Sequence, residues 1–172
     1  FYDSIDPNKF IKDIKKLLSR DGVFLLEFAD LESIVKNKMF DTICHEHLEY
    51  YSSKVIINLC LEHGLRVFNI KKNDINGSSK QYFICHTDSK YKDNQKVINL
   101  ILKSEKKLKL NKEKTFKKLI AHINSSRRDL VKLIKKIKKK GKTIHGYGAS
   151  TKGNVLLQYY GINKKMISFI AE

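Results

Sequence analysis

The chain has 172 residues, 41% of them apolar, with eight glycines, one proline and a formal net charge of +17. That length suits one ordinary domain or parts of two, and the low glycine and proline content argues against a loop-rich or disordered protein. No apolar run approaches the roughly 20 residues needed to cross a bilayer, and no charged-then-apolar leader opens the sequence, so the chain reads as soluble.

Pro7, with Asp6 before it as a cap, predicts a helix start, and Phe10, Ile11, Ile14, Leu17 and Leu18 recur at helical spacing behind it. Asp21 and Gly22 end that helix. Val23 to Phe28 is a continuous apolar run broken only by Glu27, the pattern of a strand covered on both faces. Glu27 near its carboxyl end stands where open α/β sheets place ligands. After a polar linker, Ser53 to His63 reads as a helix with Val55, Ile56, Leu59 and Cys60 inward, closed by Gly64. Leu65 to Ile70 and Lys80 to His86 read as two strands of a hairpin, joined by a turn from Asn73 to Ser79 whose residues tolerate unusual backbone angles.

Residues 91–140 are helical and amphipathic, with one stripe through Val97, Ile98, Ile101, Leu102 and Leu108 and another from Phe116 to Ile137. Leu110 and Asn111 mark a break between two helices, and Gly141 terminates the second. Thr143 to Gly148 then enters a strand–turn–helix unit, and Met166 to Ala171 reads as a further strand. The sequence starts without Met and stops directly after that strand, so it reads as an internal piece of a longer protein.

Charge divides the chain. Residues 1–88 hold 12 basic and 13 acidic side chains, whereas residues 89–172 hold 23 and 5. A nucleic-acid surface has such a basic stretch. Here the cations are mostly lysine with few aromatics to stack on bases, which favours a solvated helix face and makes nucleic acid an unlikely partner. Cys44, Cys60 and Cys85 are odd in number and widely spaced, which fits reduced cytoplasmic thiols better than disulfides or a zinc cluster.

Two segments carry chemistry. Asp41 to Ser52 packs His45, Glu46, His47, Tyr50 and Tyr51 into a short stretch. Imidazole titrates near neutrality, so a positioned His removes a proton at physiological pH, and a neighbouring carboxylate holds the imidazolium or fixes its tautomer. In an extended segment His45 and His47 point to one side with Glu46 opposite; in a turn the three fan out. The spacing lacks the i, i+4 histidine pair of a zinc-protease helix, so no metal is expected. Gly146 to Asn154 places two glycines and Lys152 at a strand-to-helix turn, where free N–H groups meet anions. It is neither a P-loop nor a dinucleotide fingerprint, because the Lys-Ser/Thr ending and the third glycine are missing. A merely structural turn is the alternative.

Together, about 100 residues apart, these segments resemble the SAM-dependent C-methyltransferases that act on nucleotide-linked deoxy-keto-sugars. Phe40 to Ser52 is similar to the family's F-D-T-I-Y-H-E-H-L-x-Y-Y-S signature, and Gly146 to Asn154 to its G-Y-G-A-x-x-K-G-N signature. Asn76 to Lys80 more weakly resembles its G-G-S-x-R turn. The resemblance implies an α/β protein: the C-terminal half of a Rossmann-type methyltransferase sheet over residues 1–88, a long helical connection over 89–141, and the start of a second, sugar-nucleotide-binding Rossmann-like domain over 142–172. It implies S-adenosylmethionine as methyl donor, with the SAM loop and a zinc-binding region both upstream of residue 1. By the same resemblance His47 is the general base, Glu46 its partner and His45 nearby. Tyr50, Gly77, Ser78, Gly146, Gly148 and Lys152 are implied for the nucleotide-sugar. Three departures stand out: Cys44 replaces a Tyr, Ser78 and Lys80 replace Gly and Arg, and the His often found before the first helix is Asp3 here or absent. An O-methyltransferase, a sugar-nucleotide-binding module and a basic nucleic-acid-binding protein are the alternatives.

Overall fold

The computed structural model describes residues 1–148 and 150–171, Asn76 by its backbone alone. Three strands form the main sheet: β1 (Phe24–Phe28), β2 (Leu65–Asn73) and β3 (Ser79–His86). Their order is β1-β3-β2, with β3 antiparallel to both neighbours. The hairpin expected between the second and third strands is therefore present. On β3, Tyr82 and Ile84 face inward while Gln81 and Phe83 are half-exposed, and Leu26 of β1 sits opposite Tyr82.

Helix α1 (Pro7–Leu17) starts as its sequence dictates, with Pro7 in the first turn and the Asp6 carboxylate accepting from the Lys9 N–H at 2.9 Å. Helix α3 (Ser53–Glu62) packs behind the sheet, and α4 (Gln95–Leu108) adds Ile98 and Ile101 to the same core. That core joins Ile11, Leu26, Phe28, Ile56, Leu65, Ile70, Tyr82 and Ile84. After a break at Lys109–Lys112, α5 (Glu113–Lys139) runs for 27 residues and Gly141 follows with φ +70°. Then come β4 (Gly146–Tyr147), α6 (Thr151–Tyr160) and β5 (Ile170–Ala171), the two strands pairing in parallel. A second small core forms where Leu119 and Ile123 of α5 meet Tyr160 of α6, with Val35, Phe40 and Leu156 packed against it.

Several expectations need correction. β1 is covered on one face only: Leu26 and Phe28 are buried while Leu25 and Glu27 point outward. A run of apolar residues reads as two-sided burial, but a strand that pairs with an antiparallel neighbour needs only one packed face. The polar linker contains a helix, α2 (Leu31–Asn37), started by Asp30, whose carboxylate accepts from the Glu32 and Ser33 N–H groups at 3.0 and 3.3 Å. Leu17, Val55, Ile120 and Leu133, placed on inward stripes, are exposed. The strands in the last segment are two residues each, shorter than their apolar runs.

Buried charge ties the first lobe together. Lys80 is fully buried, with its Nζ 2.8 Å from Asp30, 2.7 Å from Glu32 and 3.3 Å from Glu105, and it donates to Ser53 Oγ at 2.8 Å. Glu105, from α4, also accepts from the backbone N–H of Ser53 and Lys54 at 2.6 and 3.1 Å, capping α3. Burial alone lowers an ammonium's pKa, but the attraction and hydrogen bonding of Asp30 and then Glu32 and Glu105 outweigh it and hold Lys80 above the ordinary lysine value. For Glu32, burial pushes the carboxyl up, yet hydrogen bonds from Lys36, Lys80 and Ser104 bring it down to about 2.

Candidate active site

The carboxyl end of β1 opens into a cleft of about 430 Å³. Its floor is Glu27, Phe28 and Ala29, and one wall comes from the segment after α2: Asp41, Thr42, Cys44, Glu46 and His47. Thr151 and Lys152, in the first turn of α6, supply a second wall. Phe40 explains why the two walls meet. Its ring stacks on Tyr160 with centroids 5.4 Å apart and lies 5.7 Å from Tyr159, so the short 3₁₀ turn at Phe40–Thr42 carries α6 against the first lobe.

His45 to His47 lie in a turn closed by the His47 N–H donating to the Cys44 carbonyl at 3.3 Å. The three side chains therefore fan out. Glu46 and His47 face the cleft, while His45 lines a neighbouring depression with Asn154, Val155 and Tyr159. His47 Nδ1 lies 3.5 Å from the buried Thr42 Oγ1, and its ring packs on Tyr2 at 4.1 Å. Tyr50 flanks the imidazole at 6.3 Å. Burial raises the pKa of both Tyr2 and Tyr50. Glu27 accepts from Asn73 at 2.6 Å and from Gln81 at 2.7 Å, which lowers its carboxyl pKa.

The glycines divide by role. Gly148 has φ +100° and no atom within 4 Å of where a Cβ would stand, so its backbone conformation is what calls for glycine. Gly146 is needed for packing instead: an added Cβ would sit 2.9 Å from Ile170 Cγ1 on the adjacent strand. Neither lines the cleft, whereas Lys152 does. The turn between β2 and β3 reaches the cleft through Ile75 and Ser79, with Gly77 and Ser78 between them. Ser78 carries φ 145° and lies 3.1 Å, Oγ to Oγ, from Ser33, which in turn donates to Asp30 at 2.7 Å.

Sequence reasoning passed over Tyr2, Asp41 and Thr42, all of which line the cleft. It also read Lys80 only as a weaker turn residue. Asp30, Glu32 and Glu105 bring carboxylate oxygens within 4.8 Å of one another, as a metal site would. The Lys80 ammonium, within 3.3 Å of all three, supplies the cation there. Away from the cleft, a larger groove of about 940 Å³ runs along α5, lined by Arg127, Arg128, Lys132, Lys136 and Lys139 among others.

The sequence pattern described as the C-methyltransferase C-terminal domain matches residues 74–172. Over 167 residues, 97% of this chain, the sequence is 30% identical to the C-methyltransferase NovU of Streptomyces niveus. The chain belongs to the C-methyltransferase family. It spans about two-fifths of that relative's length, since the match covers 40% of it. The C-terminal-domain match begins at Asp74, inside the β2–β3 hairpin, so it takes in β3 as well as everything from α4 onward. Both cleft walls lie on the chain, one before and one within that matched region. Among the described residues no helix is long and apolar enough to cross a membrane.

Proposed function

We propose that the protein to which this chain belongs is a SAM-dependent C-methyltransferase acting on a nucleotide-linked keto-deoxysugar in the cytoplasm. The supporting observation is the shared cleft: His47 and Lys152, from the two motifs, line one cavity. His47 takes the proton from the carbon beside the sugar's ketone, a position acidified because the carbonyl oxygen accepts the developing charge. Glu46, on the same wall, stabilises the imidazolium that results. Lys152 and the N-terminal turn of α6, with Gly148 and Gly146 leading into it, receive the diphosphate, because a helix start presents N–H groups and a positive end to an anion. Tyr50 and the Gly77–Ser78 turn border the sugar. His45 faces the adjoining depression rather than the reacting carbon.

The sheet and the β4–α6–β5 unit are read as the closing part of one Rossmann-type lobe and the opening of another. S-adenosylmethionine, when bound, supplies an electrophilic methyl group. β1 passes into α2 through Ala29 and Asp30 without a glycine-rich turn, so that junction does not fit a SAM-binding loop; the resemblance puts the loop and the zinc-binding region upstream of residue 1.

Transfer of labelled methyl from SAM to a nucleotide-linked keto-sugar by the full-length protein tests the reading. His47→Ala is expected to abolish turnover while leaving SAM binding intact. Unchanged turnover would refute the assignment of the base.

A further inference from the structure

A base that accepts a proton at Nε2 must carry its own proton on Nδ1 while neutral, so something has to hold Nδ1–H. The resemblance gives that task to Glu46, yet the recorded partner of His47 Nδ1 is Thr42 Oγ1, at 3.5 Å. That separation is at the long end for a hydrogen bond, as unliganded catalytic sites often show before substrate tightens them. Thr42 is 4% exposed and its backbone is anchored in the 3₁₀ turn, its N–H donating to the Met39 carbonyl at 3.4 Å. On the other side stands Tyr2. Its ring lies 4.1 Å from the imidazole at an interplanar angle of 53°, and its carbonyl accepts from the Leu48 and Glu49 N–H groups at 2.9 and 3.2 Å. The residues that hold the turn containing His47 thus both precede it in sequence, Thr42 close by and Tyr2 from the start of the chain.

We infer that Thr42 and Tyr2 are the positioning residues for His47: the Thr42 hydroxyl accepts from Nδ1–H and fixes the tautomer, and the Tyr2 ring fixes the plane of the imidazole, leaving Nε2 for the substrate proton. Glu46 then acts on the charge of the imidazolium and not on the tautomer. The other titratable groups lining the cleft are Glu27, Asp41, Cys44 and Lys152. This inference rests on His47 being the base, but it concerns the ring itself, so it is tested without turnover.

Nitrogen-15 chemical shifts of the His47 ring, measured on the full-length protein with the ring neutral, report the tautomer. The expected wild-type signature is a protonated Nδ1 and an unprotonated Nε2. Thr42→Ser keeps that signature, Thr42→Ala loses it to a mixture of tautomers, and Glu46→Gln leaves it unchanged. Tyr2→Phe keeps the ring-current shift of the His47 carbon-bound protons, and Tyr2→Leu removes it. A wild-type ring protonated on Nε2, a Thr42→Ala ring that keeps the wild-type tautomer, or loss of that tautomer in Glu46→Gln overturns the inference. Loss of turnover in His47→Ala is a separate result and bears only on the base assignment.

Discussion

Lysine does two different jobs in the two halves of this molecule. In the first lobe Lys80 is fully buried, bonded to three carboxylates and a serine hydroxyl contributed by three separate stretches of chain. Along α5 the lysines lie in the open, and the one ion pair recorded within that helix among the described residues joins Lys117 to Glu113 at 2.9 Å. A buried charge stripped of its partners costs several kcal/mol, whereas an exposed pair contributes about 1 kcal/mol or less. The buried cluster around Lys80 therefore holds electrostatics that shape the fold, whereas the α5 lysines carry charge that water already satisfies.

That contrast can be broken or sharpened. Lys80→Met takes the buried cation from Asp30, Glu32 and Glu105 and leaves Glu32 only its partly exposed Lys36 and Lys72, and an expected loss of about 3–5 kcal/mol should appear in urea unfolding, enough to unfold a marginal domain. A loss below about 1 kcal/mol would erase the distinction between the two kinds of lysine. Acid should act through the same cluster. The Glu32 carboxyl sits at about 2 when folded, below the ordinary carboxylate value of 4.5. Its contribution is thus complete above about pH 4.5 and is lost as pH falls toward 2, amounting to about 3 kcal/mol. The unfolding free energy from urea titrations should fall by that much between pH 6 and pH 2 in the wild type and by less in Glu32→Gln.

A smaller effect belongs to Ser78, whose φ of 145° favours glycine but whose hydroxyl reaches Ser33. Ser78→Ala keeps the strain and loses the hydrogen bond, whereas Ser78→Gly loses the bond and relieves the strain. The glycine variant should be more stable than the alanine variant by about 1 kcal/mol in thermal melts. Smallest of all, Lys136→Glu on the exposed face of α5 should change stability by no more than about 0.5 kcal/mol.

Much of this arrangement was legible in the sequence wherever a local rule governed it. The Asp6–Pro7 helix start, the β2–β3 hairpin and the break near Leu110 follow from capping, turn chemistry and periodicity. The cleft was legible through two motifs far apart in sequence, although Phe40, the residue that brings them together, gave no signal beyond its place in the first motif. What stayed hidden depends on partners distant in the chain. Lys80 looks like a turn residue until Asp30, Glu32 and Glu105 gather around it, and Thr42 and Tyr2 acquire a role only once the turn at His47 folds between them. The one-sided burial of β1 escaped for the same reason: an apolar run records what could be covered, not what covers it.

The account stands on His47 and Lys152 facing one cavity, and a spin label measures that directly. Cys60 and Cys85 are buried, and burial raises the Cys60 thiol to about 12, so a Cys44→Ala background leaves an added cysteine as the reactive one. With a nitroxide on Lys152→Cys, the ring resonances of His47 should broaden strongly, while those of His63, at the far end of α3 beside Asn8, stay sharp. A sharp His47 signal beside the oxidised label would contradict the account.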